Sequence, residues 1–193
     1  MKKILLFSVI LFSVFQNKAH ASNPSKTDSA TKFYLGIGAG NNAYTGILGL
    51  SGNYRINKLF IQSGVGFGTW GTKYSLGLRY DMKYNGGWAF GIGYSYSSGV
   101  QNVPFALDST ESKVSKKTTI NYLPASTINL KVIRNWNFCN SNTFYLEFGY
   151  SIALQTEPWK VIDGTKLSDL SNSVFNFSAP GGIIFGFGFT FGL

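Results

Sequence analysis

From Ile183 to Leu193 every second residue is large and apolar (Ile183, Phe185, Phe187, Phe189, Phe191, Leu193), with Gly186, Gly188, Thr190 and Gly192 among the positions between. A period of two belongs to a strand. In a soluble β protein one face of such a strand would enter a core and the other would carry charge. Here neither face carries any, which suits a strand whose outer face meets lipid.

The other end of the chain supplies the compartment. Lys2 and Lys3 precede an apolar run of 12 residues from Ile4 to Phe15, and Ala19-His20-Ala21 follows as a small-x-small cleavage site. This is the order of a secretory signal, and the run is too short to span a bilayer, which needs about 20 residues. Residues 1–21 are therefore read as a cleaved signal peptide and 22–32, polar and rich in Ser and Thr, as a flexible lead-in. Removing 21 of 193 residues leaves 172, with 14 Lys and Arg (17 less three) against 8 Asp and Glu, a net +6. The basic residues are dispersed and the chain is exported, so anionic lipid head groups are expected as neighbours and nucleic acid is not. Cys139 is the single cysteine and cannot form an internal disulfide.

Alternating patterns recur along the chain. Strands are expected at about 33–40, 44–56, 59–70, 73–82, 88–97, 119–136, 143–156 and 183–193. Trp88, Phe90, Ile92, Tyr94 and Tyr96 against Ala89, Gly91, Gly93, Ser95 and Ser97 form the cleanest of these, while Pro124 interrupts the sixth. With the N-terminus placed in the periplasm, the two long connections (99–118 and 157–180) fall on one side and short turns at 57–58, 83–87 and 137–142 on the other. An even strand number with that asymmetry predicts an all-β fold, an eight-stranded antiparallel up-and-down transmembrane β-barrel over 33–193. Tyr84, Trp88, Trp136 and Phe144 would form an inner aromatic girdle, and Tyr44, Trp70, Tyr74, Tyr96, Tyr122 and Tyr150 an outer one.

On these features the chain resembles the small eight-stranded outer-membrane proteins of the OmpA transmembrane-domain and OmpX type. The resemblance implies a bacterial outer-membrane location, lipid and lipopolysaccharide as surroundings, a monomer, and handling by the barrel-assembly machinery. Phe187, Phe189, Phe191 and Leu193 look like the insertion signal that machinery reads, although it commonly ends in an aromatic residue and this chain ends in Leu193.

Eight strands enclose a lumen that side chains can fill, or that can hold one small ligand. Filling is the expectation, with the many inward glycines letting Tyr34, Phe60 and Tyr145 pack across. Arg55, Arg79, Asp81, Lys131 and Glu147 all point inward and toward the periplasmic end. A hairpin folded about Cys139 would set Lys131 directly across from Glu147, and a charge in a narrow lumen is costly unless paired. The cluster reads as a structural plug of salt bridges, or as a gate.

Catalysis finds little to work with. The histidine count is one, and that one is His20 within the signal, so the mature chain has no Ser/His pair. No metal site and no cofactor are expected. The leading function is a structural or interaction role carried by external loops, where Lys113, Lys116, Lys117, Trp159 and Lys160 could meet lipopolysaccharide, host surfaces or partners. The alternative is a small porin-like channel or carrier for minor or hydrophobic solutes.

Overall fold

The structure, a computed structural model, describes residues 31–83, 86–108, 115–138, 141–162 and 168–193. The signal peptide expected at 1–21 lies outside the described residues, as do Tyr84, Lys113 and Cys139. Along the chain run β1 (Phe33–Asn41), β2 (Leu48–Ile56), β3 (Leu59–Gly68), β4 (Gly71–Asp81), β5 (Gly87–Ser97), β6 (Val100–Asp108), β7 (Ser115–Tyr122), β8 (Ala125–Phe138), β9 (Asn142–Ala153) and β10 (Trp159–Val161). A helix, α1 (Asp169–Ser178), and the last strand, β11 (Gly182–Gly192), complete it.

Eight of these strands close an antiparallel barrel in the order β1-β11-β9-β8-β5-β4-β3-β2. The C-terminal strand meets the first one, with Ile37 opposite Phe189 and Tyr34 opposite Gly192. Closure satisfies the edge amides and carbonyls that an open sheet would leave unpaired. Alternation then sorts the side chains. The outer wall is apolar, with Phe67 71% and Ile183 70% exposed, while Asn53, Asn129 and Glu147 are buried inside at 2% or less. This is the reverse of a soluble barrel, and it follows directly from the period of two.

The remaining elements form a second layer at the end where the long connections emerge. β6 and β7 make a hairpin, and β10 pairs with β7 to give a three-stranded sheet in the order β10-β7-β6. The described residues of 99–118, read from sequence as a long loop, are therefore largely strand. The expected sixth strand at 119–136 is two strands, because Pro124 has no N–H to donate and the chain breaks at Leu123-Pro124 between β7 and β8. The last long connection holds β10 and α1 rather than loop alone. Ser168 caps α1 by accepting from the Ser171 N–H at 3.2 Å.

Candidate functional site

The lumen is packed, and the first thing that packs it is backbone. Residues 42–47 turn into the barrel instead of opening β2 at Tyr44 as the alternation suggested. Asn42 (φ 50°) and Gly46 (φ 75°) adopt left-handed backbone at the two ends of this inward loop. The Gly46 N–H donates to the Ala43 carbonyl at 2.9 Å, closing the turn, and Ala43, Tyr44 and Thr45 are all buried.

Three side chains and one backbone carbonyl on the wall hold the loop. Lys73 Nζ donates to the carbonyls of Asn42 (3.0 Å) and Ala43 (2.9 Å). Glu147 Oε1 accepts from the Tyr44 N–H at 2.8 Å, while its Oε2 accepts from Lys131 Nζ at 2.9 Å. Lys131 Nζ also lies 3.9 Å from the centre of the Tyr44 ring, and the Tyr44 hydroxyl donates to the Gln62 carbonyl at 2.6 Å. The inward glycines make this possible. A Cβ at Gly64 would lie 2.8 Å from the Tyr44 carbonyl oxygen, and one at Gly186 would lie 2.7 Å from the Ala43 Cβ.

The five charges read from sequence fall on two neighbouring rungs of the ladder. Pairing runs Lys131–Gly91–Arg79–Phe60–Arg55 along one rung and Asp81–Ala89–Ile133–Glu147 along the next. Lys131 is therefore not directly across from Glu147, as a hairpin about Cys139 would have it. Phe138 pairs with Asn142, so the turn centres one residue later, Ile133 faces Glu147, and the pair meets on the diagonal. Arg79 Nε and Asp81 Oδ1 lie 2.8 Å apart as an ion pair whose aligned hydrogen bond runs from Nη2 to Oδ2 at 3.4 Å. The Arg79 guanidinium sits 3.9 Å from the centre of Phe60, which packs against Tyr34 at 5.8 Å. Arg55 stands nearer the short-turn end, donating to the Tyr34 hydroxyl at 3.4 Å and to the Asn57 carbonyl at 2.9 Å.

Lys73 is the charged lumen residue that the sequence reading missed. It shares the odd-numbered parity of Arg79 and Asp81 on β4, which was the available signal, but it sat at the start of the expected strand. Amides and hydroxyls fill the rest of the lumen: Asn129 donates to Ser95 Oγ and accepts from Ser151 Oγ, both at 2.6 Å, and Gln62 donates to Asn53 at 2.7 Å. Around the two ion pairs the enclosed free space amounts to about 10 Å³ for a water's centre, room for about one water molecule.

The layer beyond the mouth has a core of its own. Trp70, Ile120, Tyr122, Ala125 and Phe175 are buried together, with Val103, Trp159, Val161 and Ala179 packed against them. Trp70 stacks on Tyr122 with ring centres 4.0 Å apart and donates its indole N–H to the Pro158 carbonyl at 3.2 Å. Burial also raises the Tyr122 hydroxyl above its ordinary pKa. Of the expected outer girdle, Tyr74, Tyr96 and Tyr150 do face outward, whereas Tyr44 is inside the lumen and Trp70 and Tyr122 are inside this cap. Trp159, expected as an exposed contact, is half-buried 6.1 Å from Phe175, and Lys160 beside it is exposed. Lys116 and Lys117 lie on β7, paired with Leu107 and Ala106. Phe187, Phe189 and Phe191 face outward from β11, and Leu193 follows it with its N–H on the Phe33 carbonyl.

Among the described residues no group of three or more His, Cys, Asp or Glu stands close enough to hold a metal ion. No described helix is long and apolar enough to cross a membrane, which leaves crossing by strands open. Compared with protein-family models, curated proteins and solved structures, the chain matches none.

Proposed function

We propose that this is a bacterial outer-membrane β-barrel protein of the small OmpA transmembrane-domain and OmpX type, exported by its N-terminal signal and without catalytic activity. The observation that carries this reading is the polarity of the closed barrel, apolar over most of its outer wall and hydrogen-bonded within. A soluble barrel with that wall would bury it by aggregating. The mature chain also lacks histidine, which removes the usual general base.

Its work on this reading belongs to the cap, a folded platform of three strands and a helix that carries the exposed Lys160, with Lys116 and Lys117 on β7. Lipopolysaccharide and other anionic surfaces are partners of matching charge, and the barrel-assembly machinery is the partner during insertion. The packed lumen speaks for this role over the porin-like alternative, because the inward loop and the two ion pairs occupy the route a solute would take.

Trypsin added to intact cells tests the reading. The expected result is cleavage within the cap while the barrel stays in the outer-membrane fraction. Recovery of the intact chain from the soluble periplasmic fraction contradicts it.

A further inference from the structure

At the short-turn end, the outer wall carries a basic and aromatic patch that neither the lumen nor the cap uses. Arg134 on β8 stands directly across from Trp88 on β5, two residues from Trp136 on the same face. Its guanidinium lies 5.5 Å from the Trp88 ring centre and 5.3 Å from that of Trp136. Lys83 converges on the same place: a Cβ built on Gly87 would lie 3.6 Å from Arg134 Nη1 and 3.7 Å from Lys83 Cβ and Cδ. The carboxylates near this end, Asp81 and Glu147, face the lumen and are held by Arg79 and Lys131. Two cations and two indoles thus share one outward site with no anion among the described residues there.

An apolar groove adjoins it. Phe90 and Val132, the next outward residues after Trp88 and Arg134, line a depression of about 550 Å³ together with Leu78, Tyr80, Ile92 and Leu130. The patch and the groove have the two chemistries of one amphiphile. A guanidinium is a directional donor to phosphate oxygens, indoles favour the interface between head groups and acyl chains, and the groove offers cover to a chain.

We propose that Arg134, Lys83, Trp88 and Trp136 bind the phosphate head group of an anionic glycerophospholipid in the leaflet at the short-turn end, with an acyl chain in the Phe90–Val132 groove. This rests on the membrane reading above. Free phosphate shares the head-group chemistry, but the groove assigns the site to the lipid.

The test is tryptophan quenching of the folded protein in vesicles containing brominated phosphatidylglycerol or brominated phosphatidylcholine. Trp88 and Trp136 lie on the outer wall, whereas Trp70 and Trp159 pack in the cap. Half-quenching is expected at a mole fraction of phosphatidylglycerol about 25-fold lower than of phosphatidylcholine, since each of the two basic residues at a membrane surface contributes about fivefold. Arg134→Gln combined with Lys83→Gln should abolish the preference, and Arg134→Lys alone should keep part of it. A heat-dependent gel shift confirms that each variant is folded.

Equal quenching by the two lipids, or a preference that survives the double substitution, overturns the site while leaving the membrane reading intact. Quenching by neither overturns both. Loss of the preference on adding excess inorganic phosphate, but not chloride of equal ionic strength, assigns the site to free phosphate and overturns the lipid proposal.

Discussion

The barrel and its cap obey opposite solvent rules within one chain. In the barrel, Asn53, Asn129, Lys131 and Glu147 are inside and Phe67, Phe90 and Phe187 are outside; in the cap, Trp70, Ile120, Tyr122 and Phe175 are inside. The barrel core is held by hydrogen bonds and ion pairs that must all be satisfied, the cap core by apolar burial. An apolar wall with a polar centre is stable where the surroundings are hydrocarbon, and an apolar centre where they are water. On the proposed membrane reading the change of medium falls near the barrel mouth, where Trp70, in the turn between β3 and β4, already points into the cap.

The sharpest way to break this comparison is at the buried pair. Glu147→Gln should lower barrel stability by about 3–5 kcal/mol, because Lys131 then stays buried without its counter-charge and the hold on the Tyr44 N–H weakens. Heat-shift gels across a temperature series read this directly, and melting equal to the parent removes Glu147 from the plug. Trp70→Ala should cost about 3 kcal/mol or more, but in the cap alone. Limited proteolysis is expected to open β6, β7 and α1 while the barrel keeps its heat shift; simultaneous loss of both makes them one cooperative unit.

Charge placed on each surface probes the medium itself. Phe187→Arg, near the middle of β11 and facing outward, should destabilise the protein in bilayers by about 2–4 kcal/mol. Leu170→Arg on the exposed face of α1 should change stability by no more than about 0.5 kcal/mol. Similar effects at both positions, measured by denaturant titration in vesicles, erase the distinction between wall and cap. The most local expected change is Ser168→Ala, where loss of the N-cap should cost α1 about 1 kcal/mol and show as faster amide exchange confined to the helix.

How far the sequence reads depends on whether a pattern has one spatial meaning. Alternation of Trp88, Phe90, Ile92, Tyr94 and Tyr96 can only be a two-faced strand, and the eight barrel strands follow from such runs within a few residues. Tyr44 and Thr45 continue the parity of β2, so nothing local separates an inward turn from a strand start; the turn becomes visible only through Lys73, Glu147 and the glycines opposite. The run Thr118-Thr119-Ile120-Asn121-Tyr122 has strand chemistry whether it extends the barrel or folds over it. The inward parity of Lys131 and Glu147 was legible, but their diagonal meeting depends on a turn centre shifted by one residue, which alternation does not fix. Trp70 and Tyr122 look like interfacial aromatics until their stacking partner is known.

On the proposed function the barrel is membrane-embedded and its lumen is closed by residues 42–47. Single-channel recording on protein extracted from outer membranes tests it most directly, with insertion in the planar bilayer verified and the heat-dependent gel shift confirming a folded barrel. The account predicts a folded, inserted and electrically silent protein. Discrete, reproducible openings in the parent chain would contradict it.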